Sequence, residues 1–329
     1  MNIKKKAIDM VRKQYHSYTE NRAKAKAGFK AISQREAFLL EPYLTIEEKK
    51  HYCERKAYAQ LGYFPNLDQP KTYSEKLIWL ALHYKNPKIT ICADKAKLKD
   101  YVCEQTGEDL CVPAIGVYSN VNDIDFDALP DKFVAKSTSG WGSKQVIVVT
   151  DKHKLNWDRT KSQMAEWLYP WNNYYYNNLC ITNENIKPRI IVEQHIGTDE
   201  PLSDYKVFCF NGKPRFMLVV KDRSGQTVKK TFYDLQTWEA LPISRIGAEV
   251  AVESKPKNTD RRIEISEKLS KDFPLARIDF YMPDDKHLYV GEITSTPGMF
   301  MRINPREWDD KWGQYINIDH LMGKEDQER

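Results

Sequence analysis

The sequence lacks a long hydrophobic run, since nowhere do about 18 apolar residues follow one another without interruption. Its first thirty residues carry Lys and Arg but neither an apolar core nor a small-residue cleavage site. We therefore expect neither a membrane-spanning helix nor a secretory leader. The six cysteines include no C-x-x-C pair and no nearby pair of histidines, which argues against a zinc cage and a disulfide framework. Reduced thiols in a cytoplasmic protein are the expectation.

An excess of one charge sign is also missing, because the net charge is only +5. The positive charge is concentrated at the start, where residues 1–60 carry 14 Lys or Arg against 7 Asp or Glu. Such a basic helical arm suits the anionic inner face of a membrane or an anionic substrate, and a solvated helix face has the same pattern. A nucleic-acid partner is disfavoured because the aromatic-rich stretch at 167–176 lies far from this arm.

With 329 residues, 41% of them hydrophobic and 29% charged, the chain is long enough for two packed domains. The residue patterns predict a basic helical region at 1–62, a mixed segment at 63–129, a strand-rich domain at 130–320 and a polar tail at 321–329. Beyond the N-terminal region, helices are predicted after Thr72 and at 94–103 and 263–269. Strands are predicted at 111–117, 133–136, 145–149, 189–193, 205–210, 215–220, 277–282 and 288–293.

The last two predicted strands form a hairpin that carries acidic residues. Its expected register pairs Met282 with Tyr289, Asp279 with Glu292 and Arg277 with Thr294. Opposed residues on neighbouring strands lie about 5 Å apart, so two carboxylates there repel each other unless a cation separates them. Oxygen ligands of this kind suit Mg²⁺ or Mn²⁺ better than zinc. The alternative is a hairpin whose face lies in solvent, with Arg277 pairing one of the acids.

A loop of small residues, S-T-S-G-W-G-S-K at 137–144, follows Lys136 at the end of an apolar strand. Small residues let backbone N–H groups approach a polyphosphate closely, and a flanking lysine adds positive charge. The string is neither G-x-x-x-x-G-K-[ST] nor G-x-G-x-x-G. A plain hairpin turn is the alternative interpretation.

The order of the motifs is more specific than any one of them. The lysine and glycine loop are followed by R-I-I-V-E, D-Y-K-V-F-C-F-N-G, R-I-D-F-Y and G-E-I-T-S-T-P-G, and this order resembles the ATP-grasp superfamily. Within it, the strings at 70–80, 93–102, 187–193, 204–212 and 292–298 resemble the TupA-like ATP-grasp family of bacterial teichuronopeptide and other surface-polysaccharide pathways. The resemblance covers residues 60–315. It implies an α+β fold of antiparallel sheets with helices, in which ATP lies between two subdomains of an ATP-grasp domain at 130–320 and a helical region precedes it.

The resemblance also implies an ATP site. Lys95 and Lys136 would hold the phosphates, Glu193 would accept from the adenine amino group, and Asp204 would meet the ribose. The alternatives are a helix-surface lysine at 95 and strand-end solubility charges at 193 and 204. The loop closing over the phosphates would be Ser139, Gly140, Trp141, Gly142 and Ser143. The backbone reading the adenine edge would belong to Gln194, His195 and Ile196.

Metal binding and catalysis are implied for the last hairpin. Asp279 and Glu292 would ligate Mg²⁺ or Mn²⁺, and Thr294 stands where most ATP-grasp enzymes have Asn, which makes a second ion doubtful. Arg277 would stabilise a tetrahedral oxyanion, and Lys206 would assist at the acceptor carboxylate.

The activity implied by the resemblance is a carboxylate–amine ligase that forms an acyl phosphate and releases ADP and phosphate. A uronic-acid saccharide and an amine are the expected substrates, and the aromatic stretch at 167–176 would offer a stacking surface to the sugar unless it fills a core. Three other functions stay open. They are a nucleotide-sugar glycosyltransferase using the D-x-D strings at 123–127, a sugar kinase using the same ATP site, and a non-catalytic nucleotide-binding protein.

Overall fold

The structure is a computed structural model that describes residues 32–140, 145–172, 186–197, 202–221, 228–243 and 250–322, together with Asp9 and Leu179. Within these residues no helix combines the length and the apolar character that crossing a membrane requires. The described helices are α1 Gln34–Leu40, α2 Ile46–Leu61, α3 Tyr73–His83, α4 Pro87–Ala93, α5 Lys95–Thr106, α6 Trp157–Trp167, α7 Thr259–Ser270, α8 Glu307–Gln314 and α9 Asp319–Met322.

The helices begin where the sequence supplies capping residues. In α1, α2 and α3 a Ser or Thr side chain accepts from the third helical N–H while a Glu reaches back to the cap, as Thr72 and Glu75 do. Helix α2 ends at Leu61, where Gly62 caps it with a positive φ. The helical prediction for the N-terminal region is confirmed at 34–40 and 46–61, and residues 1–31, except Asp9, lie outside the described part.

A four-stranded antiparallel sheet forms the smaller layer. Its strands are β1 Ala114–Tyr118, β2 Phe133–Ser137, β3 Val146–Val149 and β4 Ile190–Gln194, in the order β1-β4-β2-β3. One face packs on α6 through Met164 and Trp167. The opposite face leaves Val117 41% and Val148 59% exposed, so part of an apolar sheet surface stays uncovered by the described residues.

A five-stranded antiparallel sheet forms the larger layer. Its strands are β5 Asp204–Phe210, β6 Lys213–Lys221, β7 Lys229–Asp234, β8 Leu275–Tyr281 and β9 Tyr289–Thr294, in the order β7-β6-β5-β8-β9. One face packs on α5 and α7. The other packs on α2, α3 and α8, where Trp312 stacks on Phe216 with ring centroids 5.0 Å apart. An Asn-Gly turn joins β5 to β6, with positive φ at Asn211 and Gly212.

The register of the β8–β9 hairpin confirms two of the three predicted pairs. Asp279 lies opposite Glu292 and Arg277 opposite Thr294, but Tyr289 pairs with Tyr281 and the predicted pairing with Met282 is wrong. The reason is a register shift at Gly291, which places an extra residue on β9. A Cβ at Gly291 would lie 2.1 Å from the Tyr281 ring, so glycine leaves room for that ring.

Other elements were missed by the sequence patterns. These are β7, α4, α6 and α8. The segment predicted as a subdomain at 63–129 contributes to both layers, since α3 and α5 pack on the five-stranded sheet and β1 belongs to the four-stranded one. The predicted boundary at 320 falls inside α9, and residues 323–329 lie outside the described part.

Candidate functional site

Charged side chains from the two sheets and from the start of α5 converge on one region. On neighbouring strands β2 and β4, Lys136 Nζ lies 2.5 Å from Glu193 Oε2. Lys95 donates through Nζ to the carbonyl of Gly140 at 2.6 Å. Burial lowers the pKa of Lys95, with Lys136 acting in the same direction and Glu292 and Glu193 opposing it. Lys95 therefore interacts electrostatically with charges on both sheets.

The N-terminus of α5 is fixed by a network around Thr138. The backbone N–H of Lys95 donates to the Thr138 carbonyl at 3.0 Å, and the Thr138 N–H donates to the Arg189 carbonyl at 2.8 Å. Asp94 caps α5 by accepting from the Ala96 N–H at 3.0 Å. Its other oxygen accepts from Arg189 Nη2 at 2.8 Å. The network attaches Lys95 to the first part of the glycine loop.

Asp94 and Arg189 were not among the predicted site residues. Their side chains are 5% and 27% exposed, so the ion pair is largely removed from water. Both residues stand inside strings that carry the family resemblance, A-D-K at 93–95 and K-P-R at 187–189. The sequence could have indicated Asp94, because it stands at a helix N-cap directly before Lys95. It could not have indicated the pairing with Arg189, which is 95 residues away.

The glycine loop is described up to Gly140. Ser139 is buried, and its hydroxyl donates to the carbonyl of Asn172 at 3.3 Å. Trp141, Gly142 and Ser143 lie outside the described residues. Beside Asn172, Trp171 stacks on Tyr169 with ring centroids 4.6 Å apart, and Arg35 Cζ lies 5.3 Å from the Trp171 centroid. The N-terminal helical region therefore contacts part of the predicted aromatic surface.

An apolar face surrounds the Lys136–Glu193 ion pair. Strand register places Val134 and Ile191 on the same face as the two charged residues, and Val148 lies directly opposite Val134. The end of β4 is attached to the segment that precedes β1, because the Gln194 N–H donates to the Pro113 carbonyl at 3.0 Å. Gln194 is exposed, whereas His195 and Ile196 are half-buried.

The facing surface of the five-stranded sheet is charged and buried. Asp279 is 1%, Asp204 2% and Lys206 7% exposed. The Lys206 ammonium contacts Asp279 Oδ2 and lies 3.7 Å from Asp204 Oδ2. Arg277 binds Asp279 with both arms, Nε to Oδ1 at 2.5 Å and Nη2 to Oδ2 at 2.8 Å. Burial opposes ionisation of Asp279, but Arg277 and Lys206 outweigh it and lower the pKa of this carboxyl.

Glu292 is the open carboxylate of this surface, with its side chain 38% exposed. Its Oε2 lies 3.8 Å from Arg277 Nη2, and its Oε1 accepts from the Thr294 hydroxyl at 3.1 Å. Burial lowers the pKa of Arg277, but Asp279 and Glu292 outweigh this effect and raise it. The guanidinium thus lies between the two opposed carboxylates, the position in which the sequence predicted a cation. The expected pairing of Arg277 with an acid is present, but on a buried face.

Three side chains of the β8–β9 hairpin carry oxygen atoms that could bind a divalent ion. Glu292, Asp279 and Thr294 offer only oxygen atoms, which is the donor set that Mg²⁺ and Mn²⁺ prefer. Within the described residues no group of three or more His, Cys, Asp or Glu side chains gathers as a metal site. The residues present therefore fit an ion that completes its shell with water and phosphate oxygens, reached through Glu292.

The D-x-D strings behave as a turn. The Asp125 carboxylate accepts from the backbone N–H groups of Asp127 at 3.2 Å and Ala128 at 3.1 Å. Asp123, Asp125 and Asp127 are all exposed. Asp125 therefore stabilises the local turn, as Asp commonly does.

Solved structures that match this chain include the D-alanine–D-alanine ligase of Bacillus anthracis complexed with ATP, at 18% identity and a TM-score of 0.37 over 64% of this chain and 55% of that chain. The corresponding ligase of Helicobacter pylori matches at 15% identity and a TM-score of 0.42 over 74% and 69%. The chain thus spans little more than half of the Bacillus anthracis ligase.

N5-carboxyaminoimidazole synthetase of Staphylococcus aureus complexed with ADP matches at 13% identity and a TM-score of 0.36, over 82% of this chain and 58% of that chain. A search of curated proteins found no match. The family described as TupA-like ATPgrasp matches residues 75–317, which is well over half of the chain. The protein therefore belongs to the TupA-like ATP-grasp family, as its ordered motifs predicted.

Proposed function

We propose that this protein is an ATP-dependent carboxylate–amine ligase that acts through an acyl phosphate. The observation that supports the proposal is that Lys95 interacts electrostatically with Lys136 and Glu193 on one sheet and with Glu292 on the other, where Arg277 Nη2 lies 3.8 Å from Glu292 Oε2. We further propose that it joins an amino compound to a uronic-acid saccharide in bacterial capsule, O-antigen or teichuronopeptide synthesis, in the cytoplasm. The basic N-terminal region would then lie against the inner membrane face.

ATP binding would separate the Lys136–Glu193 ion pair and give each side chain a new partner. Lys136 would turn to the phosphates with Lys95, while Glu193 would accept from the adenine amino group. The apolar surface around Val134 and Ile191 would cover the ring. The backbone at 194–196 would read the ring edge, Asp204 would meet the ribose, and the loop at 139–143 would close over the phosphates.

The last hairpin would hold the metal and the reacting groups. Glu292, with the hydroxyl of Thr294, would hold Mg²⁺ or Mn²⁺, whereas both oxygens of the third expected ligand, Asp279, are engaged by Arg277 and Lys206. A bound ion would neutralise negative charge on the phosphates. Arg277 lies on the same strand face, where its fork is held by Asp279 and directed toward Glu292. It is therefore placed to stabilise negative charge on the reacting carboxyl group.

The reaction would proceed in two displacements. A substrate carboxylate oxygen attacks the γ-phosphorus and ADP leaves, which gives the acyl phosphate. The amine nitrogen then attacks the acyl carbon, the oxyanion develops beside Arg277, and phosphate leaves as the amide forms. Lys95 and Lys136 orient the phosphates, so the protein contributes mainly positioning and charge neutralisation.

The acceptor saccharide would meet the aromatic surface near Ser139. Tyr169 is 48% exposed, whereas the Trp171 ring is engaged by Tyr169 and Arg35. The exposed part of Tyr169 is therefore the favoured stacking surface for a sugar. The remaining tyrosines of the stretch, at 174–176, lie outside the described residues.

One assay separates the candidate functions. The protein is incubated with ATP, Mg²⁺, uronic-acid sugars and a pool of amines, and phosphate release is followed. Release that depends on both sugar and amine supports the ligase. Phosphate retained on the sugar supports a kinase, and UDP release from a nucleotide sugar without ATP supports a glycosyltransferase. Full ATP-dependent turnover by Glu292→Gln would remove the metal assignment, and full turnover by Asp279→Asn would remove the Arg277 assignment.

A further inference from the structure

A lysine ammonium occupies the space between two buried carboxylates of the five-stranded sheet. Lys206 on β5 faces Asp279 on β8 directly in the strand register. Its Nζ contacts Asp279 Oδ2 and lies 3.7 Å from Asp204 Oδ2. All three side chains are at most 9% exposed. Buried carboxylates are stable only when they are paired with a cation, and here one ammonium lies close to both.

Both Asp279 oxygens are already engaged by positive charge. Oδ1 accepts from Arg277 Nε at 2.5 Å, and Oδ2 accepts from Arg277 Nη2 at 2.8 Å and from Lys206. A divalent ion bound deep beside Asp279 would meet two cationic side chains in a region with little water, where like charges repel strongly. Glu292 differs, because its side chain is 38% exposed and its nearest cationic atom, Arg277 Nη2, is 3.8 Å away.

Two-metal sites clamp a reacting phosphate between ions about 3.5 to 4 Å apart. Such a pair needs carboxylate oxygens that bridge or flank both ions. In this protein the position between Asp204 and Asp279 is filled by the Lys206 ammonium. Thr294 adds only a hydroxyl, which already donates to Glu292 Oε1 at 3.1 Å.

We propose that the nucleotide site binds a single divalent ion, anchored by Glu292, and that Lys206 neutralises Asp279 in place of a second ion. The inference rests on the proposed nucleotide site and deepens it. Lys206 is then a positioning residue, which holds Asp279 and through it Arg277. This proposal replaces the expected role of Lys206 at the acceptor carboxylate.

The test counts manganese ions. The full chain is saturated with ADP, and Mn²⁺ is titrated while free Mn²⁺ is followed by electron paramagnetic resonance, counting only sites that require nucleotide. We expect one Mn²⁺ per chain in the wild type and in the control Lys221→Met, whose lysine lies on β6 and pairs with Glu253. Lys206→Met should bind two, because it removes the ammonium from the space between Asp204 and Asp279. Two ions in the wild type, or one in folded Lys206→Met, would overturn the proposal.

A further variant covers the case in which Lys206→Met does not fold, as judged by circular dichroism. Thr294→Asn supplies an amide oxygen at the Glu292 edge while Lys206 stays in place, so one ion is expected and two would contradict the proposal. ADP binding is measured in parallel by calorimetry with Mg²⁺. Absence of ADP binding refutes the proposed function itself, whereas ADP binding with two ions refutes only this inference.

Discussion

Arg277 and Asp279 form a bidentate ion pair on one strand, with Nε 2.5 Å from Oδ1 and Nη2 2.8 Å from Oδ2. A planar fork of this kind fixes the direction of the guanidinium as well as its charge. The same Nη2 donates to the Thr294 hydroxyl at 3.2 Å. Asp279 therefore aims Arg277 at the exposed edge of the β8–β9 hairpin, where the reacting groups are proposed to lie.

Arg277→Lys should lower turnover because lysine keeps the charge but loses the fork. We expect a decrease in kcat of roughly 100-fold to 1,000-fold, the range found for loss of one oxyanion donor, with little change in ATP affinity. Steady-state kinetics and calorimetry check the two quantities. Arg215→Lys is the control, since Arg215 is exposed and lies over Tyr315. Unchanged kcat in Arg277→Lys would contradict the oxyanion role.

Asp94→Asn should weaken ATP binding through Lys95. Asparagine still caps α5, so the helix start is kept while the charged bond to Arg189 is lost. A hydrogen bond to a charged group contributes about 1.5 to 3 kcal/mol, so KM for ATP should rise roughly tenfold or more. The response of kcat should be smaller.

Asp151→Asn is the matched control for this variant. Asp151 also caps a short helix, by accepting from the His153 N–H at 3.0 Å, and it also pairs with a cation, Lys154. It follows β3, and its described contacts, with His153 and Lys154, involve no proposed ATP ligand. Equal KM changes in the two variants would show that Arg189 and Asp94 do not position Lys95.

Nucleotide affinity should fall at alkaline pH because of Lys95. Burial lowers the pKa of this lysine below its ordinary value of 10.5, so it loses its charge at a lower pH in the folded protein. The unfolded chain keeps that proton longer, and the stability of the unliganded protein should therefore rise with pH in this interval. ATP affinity should change in the opposite direction. Calorimetry and thermal unfolding over the alkaline range measure both.

Lys95→Met supplies the comparison for the pH series. The variant has no proton to lose at this position, so the alkaline decline in ATP affinity should be flatter than in the wild type. An identical decline in the two proteins would assign the titration to another group.

The docking of α8 should depend on one buried carboxylate. Asp309 accepts from the Ser74 N–H and hydroxyl, both at 2.8 Å, and from the Tyr63 hydroxyl at 3.1 Å. Asp309→Ala would leave these donors unpaired, and we expect a loss of about 3 kcal/mol in the free energy of unfolding. Its exposed neighbour gives the control, Asp310→Ala, which should change it by under about 0.5 kcal/mol. Denaturant titration measures both, and equal losses would contradict this role of Asp309.

The predicted pairing of Asp279 with Glu292 is present, but it depends on a shift that the sequence pattern does not show. Strict alternation from the observed Tyr281–Tyr289 pair would place Asp279 opposite Gly291, and the extra residue there brings Glu292 into the predicted position. The shift at Gly291 was missed since it depends on where the Tyr281 ring packs, which is a tertiary contact. A local pattern carries no information on such contacts.

Long-range partners were missed for a related reason. Arg189 and Asp94 are 95 residues apart, and their pairing arises only when α5 meets β4. The pairing of Lys206 with Asp279 likewise depends on how β5 and β8 meet in the sheet. The sequence patterns did not predict strand β7, because only a short apolar segment lies between its charged ends. Its backbone hydrogen bonds are made with β6, a pairing that depends on the tertiary structure.

The central claim is that ATP binds between the sheets through Lys95 and Lys136. Its most direct test is calorimetric titration of ATP with Mg²⁺ into the wild type, Lys136→Met and the control Lys154→Met, whose lysine side chain is 84% exposed. We predict one ATP per chain for the wild type and the control, with affinity at least roughly tenfold weaker for Lys136→Met. A folded wild type that takes up no ATP, or equal affinity in all three proteins, would contradict the account.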